Sequence, residues 1–323
     1  MTELNLKDLA ALRPDPAPAP SVLHQLNVCN RRLERLLENL RNELDAEAAL
    51  RAIAADVVHA VDQQPDIALA CIFLNQIAGS YAVRHCIETA VVVVIMARRL
   101  GQSDADTRTL TAAALTMNVG MLRHQDAFQN KHTPLSREDM AIVRRHPEDS
   151  ATLLQCAGVR DAEWISCVLL HHENDEGSGY PAGVARPEVT LNAKLLSLAD
   201  RYCAQVSARN YRRSVLPDQA LRLLRADRDN PVDADLLAAF HAELGDYPPG
   251  CLVRLMDGGI GVVRTRGQVS VTRLRDADGK LLAADAAVAG DGAGGHAIAA
   301  AITEDEADTR FSMKQVWGPQ AAL

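Results

Sequence analysis

Leucine returns at positions 23, 26, 33, 36, 37, 40 and 44, at intervals of three and four that a helix gathers on one face. Arg31, Arg32, Glu34, Arg35 and Glu38 fall on the opposite face. Hydrophobic residues make up 48% of the 323-residue chain, but aromatics only 3%. The core is therefore built from Leu, Ala and Val, the residues of packed helices. A second helix is expected over Ala46–Val61, stopping near Gln63-Gln64-Pro65, and a third over Ile67–Ile77. A fourth covers Tyr81–Leu100 and ends at Gly101. Its apolar run Ala90–Ala97 (AVVVVIMA) is too short to span a bilayer and reads as a buried segment.

Further helices are expected over Asp106–Leu122, from Ser136 to His146-Pro147, through Trp164–Leu170, up to Asp200, and within Asp218–Leu244. Ser136 is the expected N-cap, with Asp139 near the capping-box position. From Asp246 the pattern changes to short alternating runs, Cys251–Leu255, Ile260–Arg264 and Val269–Leu274, separated by glycine turns. The expected fold is mainly α: a helical bundle with N-terminal helices and a small C-terminal β-meander. Its expected divisions are a disordered Pro/Ala tail over 1–20, a helical segment over 21–80, a helical domain over 81–245, a β appendage over 246–282, and a flexible tail with a short helix over 283–323. The amphipathic N-terminal pair forms either a wall of the adjoining domain or a homodimer interface.

A net charge of −8 argues against a nucleic-acid polymer as partner. Seven scattered cysteines without a CxxC pair suit a reducing cytoplasm. Met1–Leu12 is mixed acidic and apolar rather than a secretory leader. These features together give the expectation of a cytoplasmic protein without a membrane span.

The chemistry concentrates in His171-His172-Glu173-Asn174-Asp175-Glu176-Gly177-Ser178-Gly179-Tyr180-Pro181. Two adjacent histidines close an apolar helix, and at its end both imidazoles can turn toward one cavity. Taken alone the pair reads either as metal ligands or as polar residues finishing a helix. His146 precedes a proline, which pushes it toward extended geometry at a helix end. Asp200 closes an apolar helix and needs a cation, either a metal or Arg201. His85 lies on an apolar helix, and Arg209-Asn210-Tyr211-Arg212 is a basic turn suited to phosphate.

The central string resembles the HHExxDGxGYP signature of the HD-GYP family, bacterial metal-dependent phosphohydrolases that open cyclic di-GMP, with Glu176 in place of the aspartate. The resemblance covers about Tyr81 to Gly245. It implies an HD-type bundle in which His85, His146, His171, His172 and Asp200 are metal ligands. It also implies a nucleotide-facing set of Gly179, Tyr180, Pro181, Arg209, Tyr211 and Arg212. Where the family carries its name-giving His-Asp pair and a lysine facing the substrate phosphate, this chain reads Met117-Asn118-Val119-Gly120-Met121. Cys203 likewise replaces an aspartate.

A thioether is a weak ligand for a hydrolase metal, and an amide cannot bridge two cations as a carboxylate does. At about 4 Å, two dipositive ions repel by roughly 16 kcal/mol at an effective dielectric of about 20. One divalent ion (Fe, Mn or similar) is therefore expected rather than two, with Asn118 as a weak fourth ligand beside three imidazoles. Three readings follow: a degenerate member acting by binding cyclic di-GMP or a signalling protein; a phosphodiesterase with an altered metal site; and a scaffold that binds no nucleotide.

Overall fold

A computed structural model of the chain describes residues 20–131, 133–207, 214–282, 287–289 and 297–323. The expected N-terminal tail, apart from Pro20, lies outside the described residues. Helix α1 (Val22–Glu38) starts on Ser21, whose hydroxyl accepts from His24 N at 3.1 Å. Leu23, Leu26, Leu33, Leu36 and Leu37 are buried as their spacing predicts, each contributing about 1.5–3 kcal/mol. Leu44 is fully exposed, because the helix ends at Glu38 and gives way to a 3-10 turn at Leu40–Asn42.

Helix α2 (Ala46–Gln63) packs on α1, and α3 (Pro65–Phe73) follows with Pro65 in its first turn. The third helix starts earlier than its apolar run, on Pro65, and stops earlier, before Asn75 takes φ +50° and turns the chain. The loop beyond is read by α1: Asn27 accepts from Ala78 N at 2.9 Å and Asn30 donates to Ala78 O at 2.6 Å. It delivers the chain to α4 (Tyr81–Arg99), the central helix, whose valine run is completely buried. Burial on all sides outweighs the modest helix preference of valine.

The helix expected over 106–122 breaks in the middle. Helix α5 (Asp104–Thr116) stops at Met117, a 3-10 turn covers Val119–Met121, and α6 (Leu122–Gln129) restarts beyond it. The break has a steric cause. A Cβ at Gly120 would lie 2.7 Å from the carbonyl oxygen of His146, so the turn presses directly on the next helix. That helix, α7 (Arg137–Cys156), carries the expected Ser136/Asp139 capping box. It does not end at His146-Pro147 but continues through Pro147 for two further turns. Helices α8 (Ala162–Leu170), α9 (Leu191–Val206), α10 (Pro217–Ala226) and α11 (Ala234–Leu244) complete the bundle.

The β appendage is a five-stranded antiparallel sheet in the order β4-β3-β2-β1-β5, from β1 (Leu252–Leu255), β2 (Ile260–Thr265), β3 (Ser270–Arg275), β4 (Ala287–Ala289) and β5 (Ile298–Ala301). The last two strands lie in the stretch expected as a flexible tail, and two short helices follow, α12 (Glu304–Ala307) and α13 (Met313–Trp317). Met313 and Val316 are buried, which ties this end into the core. The sheet docks on the bundle through Arg266, paired with Asp66 at 3.1 Å and Glu243 at 3.0 Å. At Gly250 a Cβ would lie 2.7 Å from Ala70 Cα. Among the described residues, no helix is long and apolar enough to cross a membrane.

Candidate metal centre

His146 and His171 are buried and oriented by the same device. Pro147 has no N–H, so the carbonyl of Val143, its helical partner, is left without a donor. His146 Nδ1 donates to that carbonyl at 2.6 Å. Helix α8 ends at Leu170, so the carbonyl of Val168 is also left open, and His171 Nδ1 donates to it at 2.6 Å. With Nδ1 carrying the proton on both rings, both Nε2 atoms present bare lone pairs, and they face each other at 3.2 Å. Two lone pairs at that distance repel unless a cation or proton lies between them. His172 joins them, and one nitrogen from each of the three rings lies within 4.8 Å of the others.

Burial keeps these rings neutral. It lowers the His146 pKa to about 3, with the neighbouring His171 adding to the effect, and it depresses His171 and His172 as well. Neutral imidazole is the form that binds metal.

His172 has no comparable backbone anchor among the described residues, and is held by ring packing. Tyr180 stacks on it, with centroids 4.7 Å apart. The signature loop folds back to place that ring. Tyr180 N donates to His172 O at 3.0 Å. Buried Glu173 clamps the far side of the loop, its Oε1 accepting from Ala182 N at 2.7 Å and Gly183 N at 2.9 Å. Gly179 is required for the fold-back, because a Cβ there would lie 2.4 Å from Glu173 Cα. Outside the pocket, Asp175 pairs with Arg186 and, at 2.8 Å, with Lys194, which pins the loop to α9.

The remaining predicted ligands are arranged differently. His85 Nε2 hydrogen-bonds Asp200 Oδ1 at 2.7 Å, and His85 Nδ1 is buried without a partner. Asp200 was expected to meet a metal or Arg201. Its partner is His85, while Arg201 pairs with Asp227 at 2.9 Å. Burial pushes the Asp200 carboxyl upward, but the hydrogen bond from His85 holds it below the usual carboxylate range. An ionised Asp200 requires the proton to sit on His85 Nε2.

Met117 is fully buried in the apolar core. Asn118 is 1% exposed, and its Oδ1 is buried with no hydrogen-bond partner. Its turn is fastened beside His146: Gly120 N donates to Ser150 Oγ at 2.8 Å, which donates to Met117 O at 2.9 Å. The turn that carries this orphaned amide oxygen packs against the backbone of His146. Of the nucleotide-facing set, Arg209, Tyr211 and Arg212 lie outside the described residues.

Two residues beside the cluster were not among the sequence candidates: Glu173, although it is the acid of the quoted signature, and Arg144, whose guanidinium lies 5.5 Å from the centre of the Tyr180 ring. Glu173 carries a signal, being an acid at a helix C-terminus, where the macrodipole disfavours it. Arg144 carries none, since it reads as one of many charges on the exposed side of a helix.

Residues 42–236 match the HD domain family (HD_5), and the chain belongs to that family. Its relatives narrow the resemblance to the HD-GYP branch. The chain is 30% identical over 258 residues to the cyclic di-GMP phosphodiesterase PA4108 of Pseudomonas aeruginosa, covering 77% of this chain and 62% of that protein. It is 29% identical over 185 residues to the cyclic di-GMP phosphodiesterase response regulator RpfG of Xanthomonas campestris, covering 57% and 45%. The chain thus spans about half to two thirds of the length of these curated relatives. Bd1817, an HDG"Y"P protein from Bdellovibrio bacteriovorus, shares the fold with a TM-score of 0.56 at 19% identity, over 72% of this chain and 76% of that one.

Proposed function

We propose that this protein binds one divalent ion on His146, His171 and His172, and that it acts in cyclic di-GMP signalling by binding the nucleotide or a protein partner rather than by rapid hydrolysis. The observation that carries this reading is the pair of bare Nε2 atoms 3.2 Å apart, with a neutral, orphaned Asn118 on the turn that packs against the His146 backbone. A bound ion would supply Lewis acidity toward a phosphate oxygen. The chain's own contribution is to hold three neutral imidazoles rigidly and to cover His172 with Tyr180. A second ion is disfavoured, because Asn118 brings no charge and His85 and Asp200 satisfy each other. Relatives named as cyclic di-GMP phosphodiesterases supply the ligand class.

The test is elemental analysis and a turnover assay on one preparation. About one ion per chain, micromolar cyclic di-GMP binding and negligible turnover are expected. Hydrolysis at ordinary enzymatic rates with added Mn²⁺ or Fe²⁺ overturns the reading in favour of an altered but working phosphodiesterase. The intact imidazole trio is the observation that favours this alternative.

A further inference from the structure

Arg144 lies two residues before His146 on α7, at the rim of the imidazole cluster. Its guanidinium carbon is 5.5 Å from the centre of the Tyr180 ring. That ring stacks on His172 and lies 6.5 Å from His146. Arginines elsewhere around the pocket are committed: Arg186 to Asp175 and Asp233, Arg201 to Asp227, and the adjacent Arg145 to Asp149 at 3.2 Å. Arg144 has no ion-pair partner among the described residues.

A guanidinium stacked on an aromatic ring uses its flat face, which leaves the in-plane N–H donors available for a bidentate contact with two oxygens. A cyclic dinucleotide carries two phosphodiester groups, each with one negative charge. If one meets the ion at the histidines, the other needs a cation at the rim, and Met121 offers none.

We propose that Arg144 is a phosphate-binding residue that takes the phosphodiester of a cyclic dinucleotide lying away from the imidazole cluster. This assignment rests on the nucleotide reading above. It also accounts for an exposed arginine being held against the ring that covers His172.

The test is calorimetric titration of the full chain, loaded with Co²⁺, by cyclic di-GMP at low and moderate salt. Arg144→Ala should weaken binding about tenfold and flatten the salt dependence, while Arg144→Lys should retain part of the affinity. The Co²⁺ absorption spectrum should be unchanged in both variants, which shows that the cluster is intact. Undiminished affinity in Arg144→Ala, with wild-type binding present, sinks this assignment alone. Absence of wild-type binding sinks the nucleotide reading and this assignment with it. An altered Co²⁺ spectrum would instead place Arg144 among the residues that position the histidines, which also overturns the proposal.

Discussion

His146 and His171 each give Nδ1–H to a carbonyl of their own helix and turn Nε2 inward, whereas His85 gives Nε2 to Asp200 and leaves Nδ1 without a partner. The two halves of one pocket therefore hold their protons at opposite ends of the ring. In the first half the nitrogens that converge are bare. In the second half a proton already bridges the histidine and the carboxylate. The lesson is that histidines of one pocket can present opposite ring nitrogens, depending on which acceptor the backbone or a carboxylate offers. His85 and Asp200 match the family pattern by identity, and here each is the other's hydrogen-bond partner.

The sharpest way to break this comparison is to truncate one histidine from each half. His171→Ala should weaken Co²⁺ or Mn²⁺ binding beyond the roughly 10–100-fold that loss of an outer partner costs. His85→Ala should leave metal affinity nearly unchanged but destabilise the fold by about 3–5 kcal/mol, because Asp200 becomes a buried unpaired charge. Equal losses of metal affinity in the two variants would show that both halves hold the ion.

Restoring the missing pair sharpens the contrast from the other side. Met117→His with Asn118→Asp should raise metal content by a second equivalent and bring measurable turnover, with His85 and Asp200 released to the new ion. Metal content that stays at one equivalent would mean that the bridging anion was not what the second half lacked.

The smallest effect concerns pH. The His146 pKa is lowered by burial from 6.5 to about 3, so between these values the unfolded chain binds a proton that the folded one refuses. Stability of the metal-free protein should be fully present above pH 6.5 and should fall as pH drops through that window. The slope is about 1.4 kcal/mol per pH unit for each such histidine. Asp200 acts in the same direction, but only below the ordinary carboxylate range. Denaturant unfolding of the metal-free protein between pH 7.5 and 4 measures the slope, and a flat profile would show that the imidazoles are not kept neutral by burial.

Much of the bundle was legible, because leucine spacing and the scarcity of aromatics leave helix packing as the available core. The limits of legibility are local and physical. The α5 break at Met117 depends on Gly120 pressing against α7, a contact between residues 26 positions apart in the chain whose partner sequence does not name. The strands at 287–289 and 298–301 sit in an Ala/Gly-rich stretch with no alternation to reveal them; pairing with β3 and β1 decides their conformation. At the site, His146 converges with His171-His172, but the His85–Asp200 bond was hidden. Asp200 visibly needed a cation, and nothing in the chain order distinguished an imidazole on α4 from Arg201 next door.

Pro147 carries a consequence for anyone transplanting this cluster into another helical scaffold. Copying His146 alone would move the side chain without its tautomer, since an ordinary residue at position 147 would reclaim the Val143 carbonyl with its own amide. The proline costs the helix roughly 3 kcal/mol and returns a ring whose Nε2 is fixed toward the cluster before any ion arrives. A graft should therefore treat the histidine, the proline after it and the carbonyl three residues before it as one indivisible part.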